Sequence, residues 1–278
     1  MKVVEVIDGL RSAPEAGDAL AALARRMGHT PVRPKDMPGF IVNHAGRGMN
    51  TEGLRVAQEA VATFAQVDAV MREQAGFRMG PFELLDLTAL DVSHPVMESI
   101  YRQFFDEPRF RPSPITTVRL AGGLIGRKAG EGFYVYADGQ KQVPAEPPVP
   151  ALPEGLKVWV SPKHAEGYAR ASALVEKLGA TLVTGATPDA DALIIVTPFG
   201  DDVSTSVSAQ GLNAGRTVGL DTLYAFDGAK RRTLMVSPAT EGKWRDAAHA
   251  LLAADGVPVT VIEDCLLYTS DAADDTPC

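Results

Sequence analysis

Cysteine is scarce in this sequence: Cys265 and Cys278 are the only two among its 278 residues. Neither sits at a metal-ligand spacing, and two cysteines at the carboxyl end imply no disulfide framework. We therefore expect no metal, and a reducing compartment, the cytoplasm, is the simplest expectation for where the chain works.

Basic residues are outnumbered, because 27 lysines and arginines stand against 35 aspartates and glutamates, a net charge of −8. This balance argues against nucleic acid or a membrane surface as a partner. No apolar run approaches the roughly 20 residues that span a bilayer. No basic segment precedes an apolar stretch at the amino end, so we expect neither a membrane segment nor a secretory signal.

A dinucleotide fingerprint is also missing, because no Gly-x-Gly-x-x-Gly follows any predicted strand. The glycines cluster instead at Gly122-Gly123 and at Gly126, Gly130 and Gly132, after a predicted helix and before an aromatic segment. We interpret them as turn glycines.

The first 36 residues are predicted to form a strand, a helix and a second strand. The helix covers residues 14–27, where apolar side chains recur every three or four positions, and Gly28 ends it. The strands cover residues 2–7 and 30–35. Three such elements bury too little surface to fold alone. We expect residues 1–36 to be the end of a domain whose body precedes them.

Two larger domains follow, joined by a proline-rich linker over residues 138–155. Residues 37–137 are predicted to be all-helical, starting at Asp36-Met37-Pro38. Their helices cover residues 40–60, 66–74, 92–105 and 115–121, with one more opening at Met79-Gly80-Pro81.

Residues 156–263 alternate apolar runs with helices, which indicates a mainly parallel sheet covered by helices. Their predicted strands are 156–160, 181–183, 192–196, 217–220, 233–236 and 257–262, and their helices 164–178 and 243–254. Residues 264–278 break the pattern and are expected to be a non-native tail, with a native acidic tail as the alternative.

The segment Asp36-Met37-Pro38-Gly39-Phe40-Ile41-Val42-Asn43 is the clearest motif. It predicts a helix start, where free N–H groups and the positive dipole end are presented, with Asn43 in the second turn. An asparagine there can contact a substrate oxygen or satisfy a domain junction. The residues alone leave both interpretations open.

Three motifs together resemble the 3-hydroxyacyl-CoA dehydrogenase family. They are D-x-P-G-F-I-x-N at residues 36–43, MGPFELLD at 79–86 and G-x-K-x-G-x-G-F-Y at 126–134. Residues 1–6 are similar to the family's M-K-x-V-E-V strand, and the resemblance covers residues 1–137. It implies a fragment with the helical C-terminal domain of that family and without its N-terminal NAD-binding domain.

The resemblance also assigns two catalytic residues. The family's base is a histidine in an H-F-F-N-P element, which would stand before Met1, and no histidine of this chain occupies that position. Glu5 matches the family's glutamate, whose carboxylate holds the histidine base in one tautomer. Asn43 matches the family's asparagine, which helps to orient the substrate and the histidine–glutamate pair. Strand alternation alone favours a Glu5 that faces solvent. His44 stands where the family usually has arginine, and we interpret it as a packing residue rather than a base.

Residues 156–263 resemble, more weakly, the reduced Rossmann-like α/β domain of the long bacterial members of this family. The expected fold class is therefore multi-domain, an all-α dehydrogenase C-terminal domain followed by a small α/β domain. Ser161-Pro162-Lys163-His164, after the first predicted strand, suits an anion site at a helix start. A plain helix start with Ser161 as its N-cap is the preferred interpretation.

The resemblance implies an oxidoreductase that interconverts 3-hydroxyacyl-CoA and 3-oxoacyl-CoA with NAD, in fatty-acid or aromatic-acid degradation. It further implies a homodimer formed through the helical domain. Since this sequence holds neither the base nor a nucleotide motif, we expect the chain alone to be inactive. One alternative is a non-catalytic helical dimerisation module. Another is the helical domain of a dehydrogenase of the 6-phosphogluconate dehydrogenase-like group, which the D-x-P-G-F-I-x-N and G-F-Y motifs disfavour.

Overall fold

The structure, a computed structural model, describes residues 2–264, so that the predicted tail lies outside the described residues from Cys265 onward. The chain divides into two compact units. The first holds the residues up to Arg55 together with Leu85–Lys141, and the second holds Val56–Leu84 together with the residues from Gln142 onward. Part of the predicted helical domain is thus grouped with the α/β module, and the predicted domain boundaries stay a prediction. No helix within residues 2–264 is long and apolar enough to cross a membrane.

The first unit begins with two parallel strands joined by a helix. Strand β1 (Val3–Glu5) pairs with β2 (Thr30–Val32), and helix α1 (Pro14–Arg26) connects them. Proline opens α1 and two arginines fill its last turn, as the free groups and dipole at helix ends favour. The chain then leaves the helix at Gly28, which has a φ of +80°. The predicted helix is confirmed with its carboxyl end one residue earlier.

The remaining elements of the first unit are mainly helical. They are α2 (Val42–Ala45), α3 (Arg47–Gln58, as far as Arg55), α5 (Pro81–Thr88, from Leu85), α6 (Leu90–Gln103), α7 (Pro114–Ala121) and a hairpin of β3 (Tyr136–Ala137) and β4 (Gln140–Lys141). The predicted helix start at Pro38 is wrong, because Gly39 and Phe40 have φ values of +78° and +49°. Left-handed residues cannot continue a right-handed helix, so α2 begins only at Val42. The first residues of the predicted linker belong to the hairpin.

Asp86 explains why two of the sequence motifs occur together. This buried carboxylate accepts hydrogen bonds from the backbone nitrogens of Phe133 at 2.8 Å and Tyr134 at 3.0 Å. The Tyr136 hydroxyl donates to it as well, at 3.0 Å. A Cβ atom on Gly132 would come within 2.5 Å of the Gly126 Cα and would overlap the Asp86 carboxylate. The two glycines therefore permit a close approach to Asp86. Gly126 has the positive φ, +125°, expected of a predicted turn glycine, whereas Gly132 does not.

The second unit is an α/β layer to which one helical segment is added. Its sheet has the order β10-β9-β8-β7-β5-β6. The strands are β5 (Lys157–Val160), β6 (Thr181–Val183), β7 (Leu193–Val196), β8 (Thr217–Leu220), β9 (Arg232–Val236) and β10 (Val259–Glu263). The helices are α4 (Phe64–Glu73), α8 (Ala165–Lys177), α9 (Val203–Gln210) and α10 (Gly242–Leu252). Every predicted strand of this region is confirmed to within two residues.

The predicted mainly parallel sheet is confirmed with one antiparallel pairing, and helix α9 is an element that was not predicted. Strands β5 to β8 are parallel, but β9 runs antiparallel to β8, and β10 follows the direction of β9. Helix α9 was not predicted because its run of serines and threonines has no apolar period. Asp202 and Asp264 cap it instead, since their carboxylates accept from the backbone nitrogens of its first turn.

The core of the second unit is built from the middle of the sheet and the covering helices. Its fully buried members are Val158, Ala171, Val175, Leu193, Ile195, Val218, Leu220, Leu234, Ala248, Leu251 and Leu252. Strands buried on both faces consist of continuous apolar runs, as at Leu193–Val196. The proline-rich segment is held to this unit through Glu146, whose carboxylate pairs with the buried Arg231.

Candidate active site

The structure brings Glu5 to the start of the helix that carries Asn43. The Glu5 Oε1 atom accepts hydrogen bonds from the backbone nitrogens of Ile41 at 2.8 Å and Val42 at 3.0 Å. Ile41 is the N-cap of α2 and Val42 its first residue, and both amides lack partners inside the helix. Glu5 is half-buried, so it does not simply face solvent from the strand.

Asn43 follows directly in α2 and is exposed. The positive φ values of Gly39 and Phe40 direct the chain into this short helix. A side chain on Gly39 would clash with the backbone nitrogen of His44 and with Ile100, which explains the glycine of the motif. The two residues assigned by resemblance are thus adjacent through the backbone of Ile41 and Val42, and their catalytic roles stay a prediction.

A cavity of about 310 Å³ lies beside Glu5 in the first unit. Its lining is otherwise mainly apolar and comes from β1, α1 and the residues just after each of them, namely Val4, Val6, Ile7, Leu20, Leu23, Ala24 and Met27. His29 also lines it, and its Nδ1 atom is buried without a hydrogen-bond partner. Sequence reasoning missed His29, because it follows a helix end and no motif surrounds it.

His44 packs among aromatic rings. Its ring centre lies 5.4 Å from that of Phe104 and 5.3 Å from that of Phe110. These contacts confirm the interpretation of His44 as a packing residue. The imidazole fixes the end of α2 against α6 and the turn that follows it.

Arg47 and Asn50 are polar residues that the sequence interpretation passed over. Arg47 is 4% exposed, and its Nε and Nη1 atoms have no hydrogen-bond partner. Asn50 is 7% exposed, and its Oδ1 atom is also without a partner. Burial lowers the pKa of the Arg47 guanidinium from its ordinary value. A signal was present in the sequence, since both residues share the inward face of α3 with Leu54 at a spacing of three and four.

The described residues do not fit a dinucleotide. A phosphate-binding turn after the first strand of a Rossmann fold needs glycines that let the backbone approach the pyrophosphate. After β5 the chain has Ser161-Pro162-Lys163-His164, and the Ser161 hydroxyl bonds to Gln210 and accepts from the Lys163 backbone nitrogen. The N-cap of α8 is His164, so the predicted cap at Ser161 is wrong by three residues. We assign none of the described residues to NAD.

No group of three histidine, cysteine, aspartate or glutamate side chains that could hold a metal ion occurs within residues 2–264.

The comparisons with known proteins concern mostly the first half of the chain. A family model described as 3-hydroxyacyl-CoA dehydrogenase, C-terminal domain, matches residues 39–136. The 3-hydroxyadipyl-CoA dehydrogenase of Escherichia coli (strain K12) is 42% identical over 134 residues, which are 48% of this chain and 28% of that protein. A probable 3-hydroxybutyryl-CoA dehydrogenase of Deinococcus radiodurans is 35% identical over 136 residues, 49% of each protein.

One solved structure extends the likeness to nearly the whole chain. The crystal structure of 3-hydroxybutyryl-CoA dehydrogenase from Escherichia coli K12 matches with a TM-score of 0.72 and 28% identity. It covers 95% of this chain and 50% of that chain, so the α/β module has a counterpart there. The chain spans half or less of the length of these relatives. Residues 39–136 of this chain are thus similar to the C-terminal domain of the 3-hydroxyacyl-CoA dehydrogenase family.

Proposed function

We propose that this chain forms part of the substrate side of an oxidoreductase that interconverts 3-hydroxyacyl-CoA and 3-oxoacyl-CoA. The observation that carries the proposal is the pair of hydrogen bonds from Ile41 and Val42 to Glu5. They hold a carboxylate next to the exposed amide of Asn43, in the family whose members bear this activity in their names.

Glu5 would act on a catalytic imidazole. Its Oε1 atom is occupied by two backbone amides, which leaves Oε2 to accept an N–H from an imidazole ring. A carboxylate held in this way fixes the tautomer of the imidazole and stabilises the imidazolium that forms when the substrate hydroxyl loses its proton. Glu5 is thus a positioning residue whose own position is set by α2.

Asn43 would act on the substrate itself. Its side-chain amide can donate a hydrogen bond to a carbonyl oxygen and accept one from a hydroxyl. C3 of the acyl chain bears a carbonyl oxygen in the 3-oxoacyl form and a hydroxyl in the 3-hydroxyacyl form. Because Asn43 is exposed on a short helix anchored by Glu5, a substrate can reach it without moving the backbone. Holding the reacting oxygen in a fixed orientation in this way is a recognised source of rate enhancement.

The base and the hydride acceptor are expected from outside the described residues. No described residue is assigned to NAD, which would supply the hydride acceptor when bound. We therefore propose that the chain alone binds an acyl-CoA but turns none over. The acyl group we propose is that of 3-hydroxyadipyl-CoA, which carries a second carboxylate, since the relative of that name is 42% identical. The reaction would serve fatty-acid or aromatic-acid degradation.

Binding of acetoacetyl-CoA, measured by calorimetry, tests the substrate side. We expect Asn43→Ala to weaken binding by about tenfold, the value of one lost hydrogen bond to a bound substrate. Glu5→Gln, which keeps an oxygen for the two amides, should bind as the wild type does. Glu15→Gln, an exposed acid in the first turn of α1, is the matched control. Binding that Asn43→Ala leaves unchanged would remove Asn43 from the site.

A steady-state assay with acetoacetyl-CoA and NADH tests the expected inactivity. We expect no turnover by the chain alone. Turnover that Glu5→Gln abolishes would contradict the inactivity and support the role of Glu5. Turnover that Glu5→Gln leaves intact would contradict both parts of the proposal.

We also propose that the chain self-associates through its helical unit. Several large apolar side chains stand exposed there, among them Leu87, Val92, Phe105 and Val118, which are between 53% and 95% exposed. Sedimentation at several concentrations should show a dimer that Val92→Glu weakens. A monomer at every concentration would contradict this part, and a dimer that binds no acyl-CoA would favour the non-catalytic dimerisation module.

A further inference from the structure

Arg47 is a buried cation for which the described residues offer no counter-charge. Its Nε and Nη1 atoms make no hydrogen bond, although the side chain is 4% exposed. An unpaired charge in a low-dielectric surrounding is unfavourable, so arginines this deeply buried are normally paired. Arg231 and Arg232 follow that rule here, since both are buried and both have carboxylate partners. Arg47 departs from it.

Asn50 adds a second unsatisfied polar group to the same face of α3. It lies three residues after Arg47, so the two side chains are neighbours on the helix surface. Its Oδ1 atom is buried without a partner. By turning its terminal amide, an asparagine can present either its oxygen or its NH₂ group to a ligand. Two adjacent orphaned groups point to a missing polar partner rather than to one badly packed side chain.

The backbone beside Arg47 leaves room for a ligand to approach. Gly46 and Gly48 flank it in sequence, and both are exposed. A Cβ atom added at Gly48 would have no neighbour within 4 Å. Gly46, the C-cap of α2, and Gly48, in the first turn of α3, therefore place no side chain on the surface beside Arg47.

The position of Arg47 relates it to the proposed substrate. Arg47 comes four residues after Asn43, and the linking Gly46 has right-handed helical angles, φ −68° and ψ −13°. The chain therefore advances by about one helical turn, roughly 5.4 Å, between the two residues. In a six-carbon acyl chain the terminal carboxyl carbon lies three bonds beyond C3, about 4 Å away if extended. An acyl group oriented at C3 by Asn43 would place that carboxylate within reach of Arg47.

We propose that Arg47, with Asn50, binds the carboxylate at the far end of a dicarboxylyl-CoA substrate. The inference rests on the proposed function, because it takes Asn43 as the contact to the reacting oxygen. A guanidinium matches a carboxylate with two parallel N–H donors, and a buried one gains most from the pairing. Arg47 is in this sense a specificity-determining residue, which selects the acyl chain and takes no part in the proton or hydride transfer.

The test compares two ligands that differ only at the end of the acyl chain. Dissociation constants for 3-oxoadipyl-CoA and 3-oxohexanoyl-CoA are measured by calorimetry on the whole chain. We expect the dicarboxylyl ester to bind at least tenfold more tightly to the wild type. Arg47→Met should abolish this preference while leaving the affinity for 3-oxohexanoyl-CoA unchanged. Arg55→Met, at a half-buried arginine on the same helix that pairs with Glu52, should retain the preference.

The outcomes separate this inference from the function on which it rests. Equal affinity of the wild type for both esters, or a preference that survives in Arg47→Met, overturns the role of Arg47 and leaves the proposed function standing. Failure of both esters to bind overturns both proposals. If Arg47→Met changes self-association but not the affinity for either ester, the counter-charge of Arg47 comes from a second copy of the chain, and the inference is overturned. A thermal melt verifies that the Arg47→Met variant folds. Because the substitution removes an unpaired buried charge, it should not lower the melting temperature of the variant.

Discussion

The Oε1 atom of Glu5 lies 2.8 Å from the backbone nitrogen of Ile41, 36 residues further along the chain. This bond joins the end of β1 to the turn that leads into α2. It brings an acid in a short strand close to the start of the helix that carries Asn43.

Replacing Glu5 by alanine should destabilise the first unit by about 1 kcal/mol, because the amides of Ile41 and Val42 lose their acceptor. Glu5→Gln should lose less, since one side-chain oxygen remains. Urea denaturation gives both values. The control, Glu15→Ala, should change the free energy of unfolding by less than about 0.5 kcal/mol. Equal stability of Glu5→Ala and wild type would show that the two bonds contribute nothing.

Asp86→Ala should be among the most destabilising single changes, at about 3 kcal/mol or more. It leaves two buried backbone N–H groups and the Tyr136 hydroxyl without their acceptor. Tyr136→Phe removes only one of the three bonds and should cost about 1 kcal/mol. Denaturant midpoints of the two variants measure the difference. If Asp86→Ala cost no more than Tyr136→Phe, Asp86 would not organise the glycine-rich segment.

Gly132→Ala should cost about 3 kcal/mol, because the added methyl would overlap the Asp86 carboxylate and the Gly126 Cα. Gly48→Ala is the matched control. That glycine lies inside α3 with open space around it, so alanine should stabilise the helix by about 0.5 to 1 kcal/mol. Thermal melts of the two variants should shift in opposite directions. A Gly132→Ala protein as stable as the wild type would contradict the close approach.

The Arg232–Asp255 pair should make stability depend on pH in the acid range. Two parallel hydrogen bonds from Arg232, at 2.7 and 2.8 Å, lower the pKa of Asp255 from 3.8 to about 2. A carboxyl pKa that folding lowers stabilises the fold above its unfolded value, and the contribution is lost as pH falls through the folded value. The contribution is about 2 kcal/mol near neutral pH, and it should fade between about pH 4 and 2.

Asp255→Asn is the variant that isolates this effect. The difference in unfolding free energy between wild type and Asp255→Asn should shrink as pH is lowered from 6 towards 3, in urea titrations at each pH (about 2 kcal/mol at the upper end). The exposed pair of Arg245 and Asp246 supplies the control, since Asp246→Asn should show little difference at any pH. A difference for Asp255→Asn that stays constant with pH would contradict the lowered pKa.

Local patterns in the sequence were sufficient for most of the secondary structure. The apolar runs at Thr181–Val183 and Thr217–Leu220 are the observed strands β6 and β8 without a shift. Helix α1 begins at the predicted Pro14, because proline and the three-to-four spacing of apolar residues are local signals. Helix α9 lacked such a signal, since its caps include Asp264, which is 61 residues away from Val203.

The candidate site was predicted through motifs rather than through geometry. The motifs pointed to Glu5 and Asn43 but not to Arg47 or Asn50. A polar residue on a helix is expected to face solvent until its burial is known. The spacing with Leu54 places both residues on one face of α3, but whether that face is buried depends on the elements that pack around it.

The sequence by itself determined the resemblance to the 3-hydroxyacyl-CoA dehydrogenase family, most helix and strand positions, and the two residues on which the proposed chemistry depends. The tertiary structure alone decided which distant groups meet. It joined Glu5 to the start of α2, it wrapped the glycines around Asp86, and it turned β9 antiparallel to β8. The physical reason is that periodicity, caps and turn residues act within a few positions, whereas strand direction and long-range hydrogen bonds are set by packing between segments far apart in the chain.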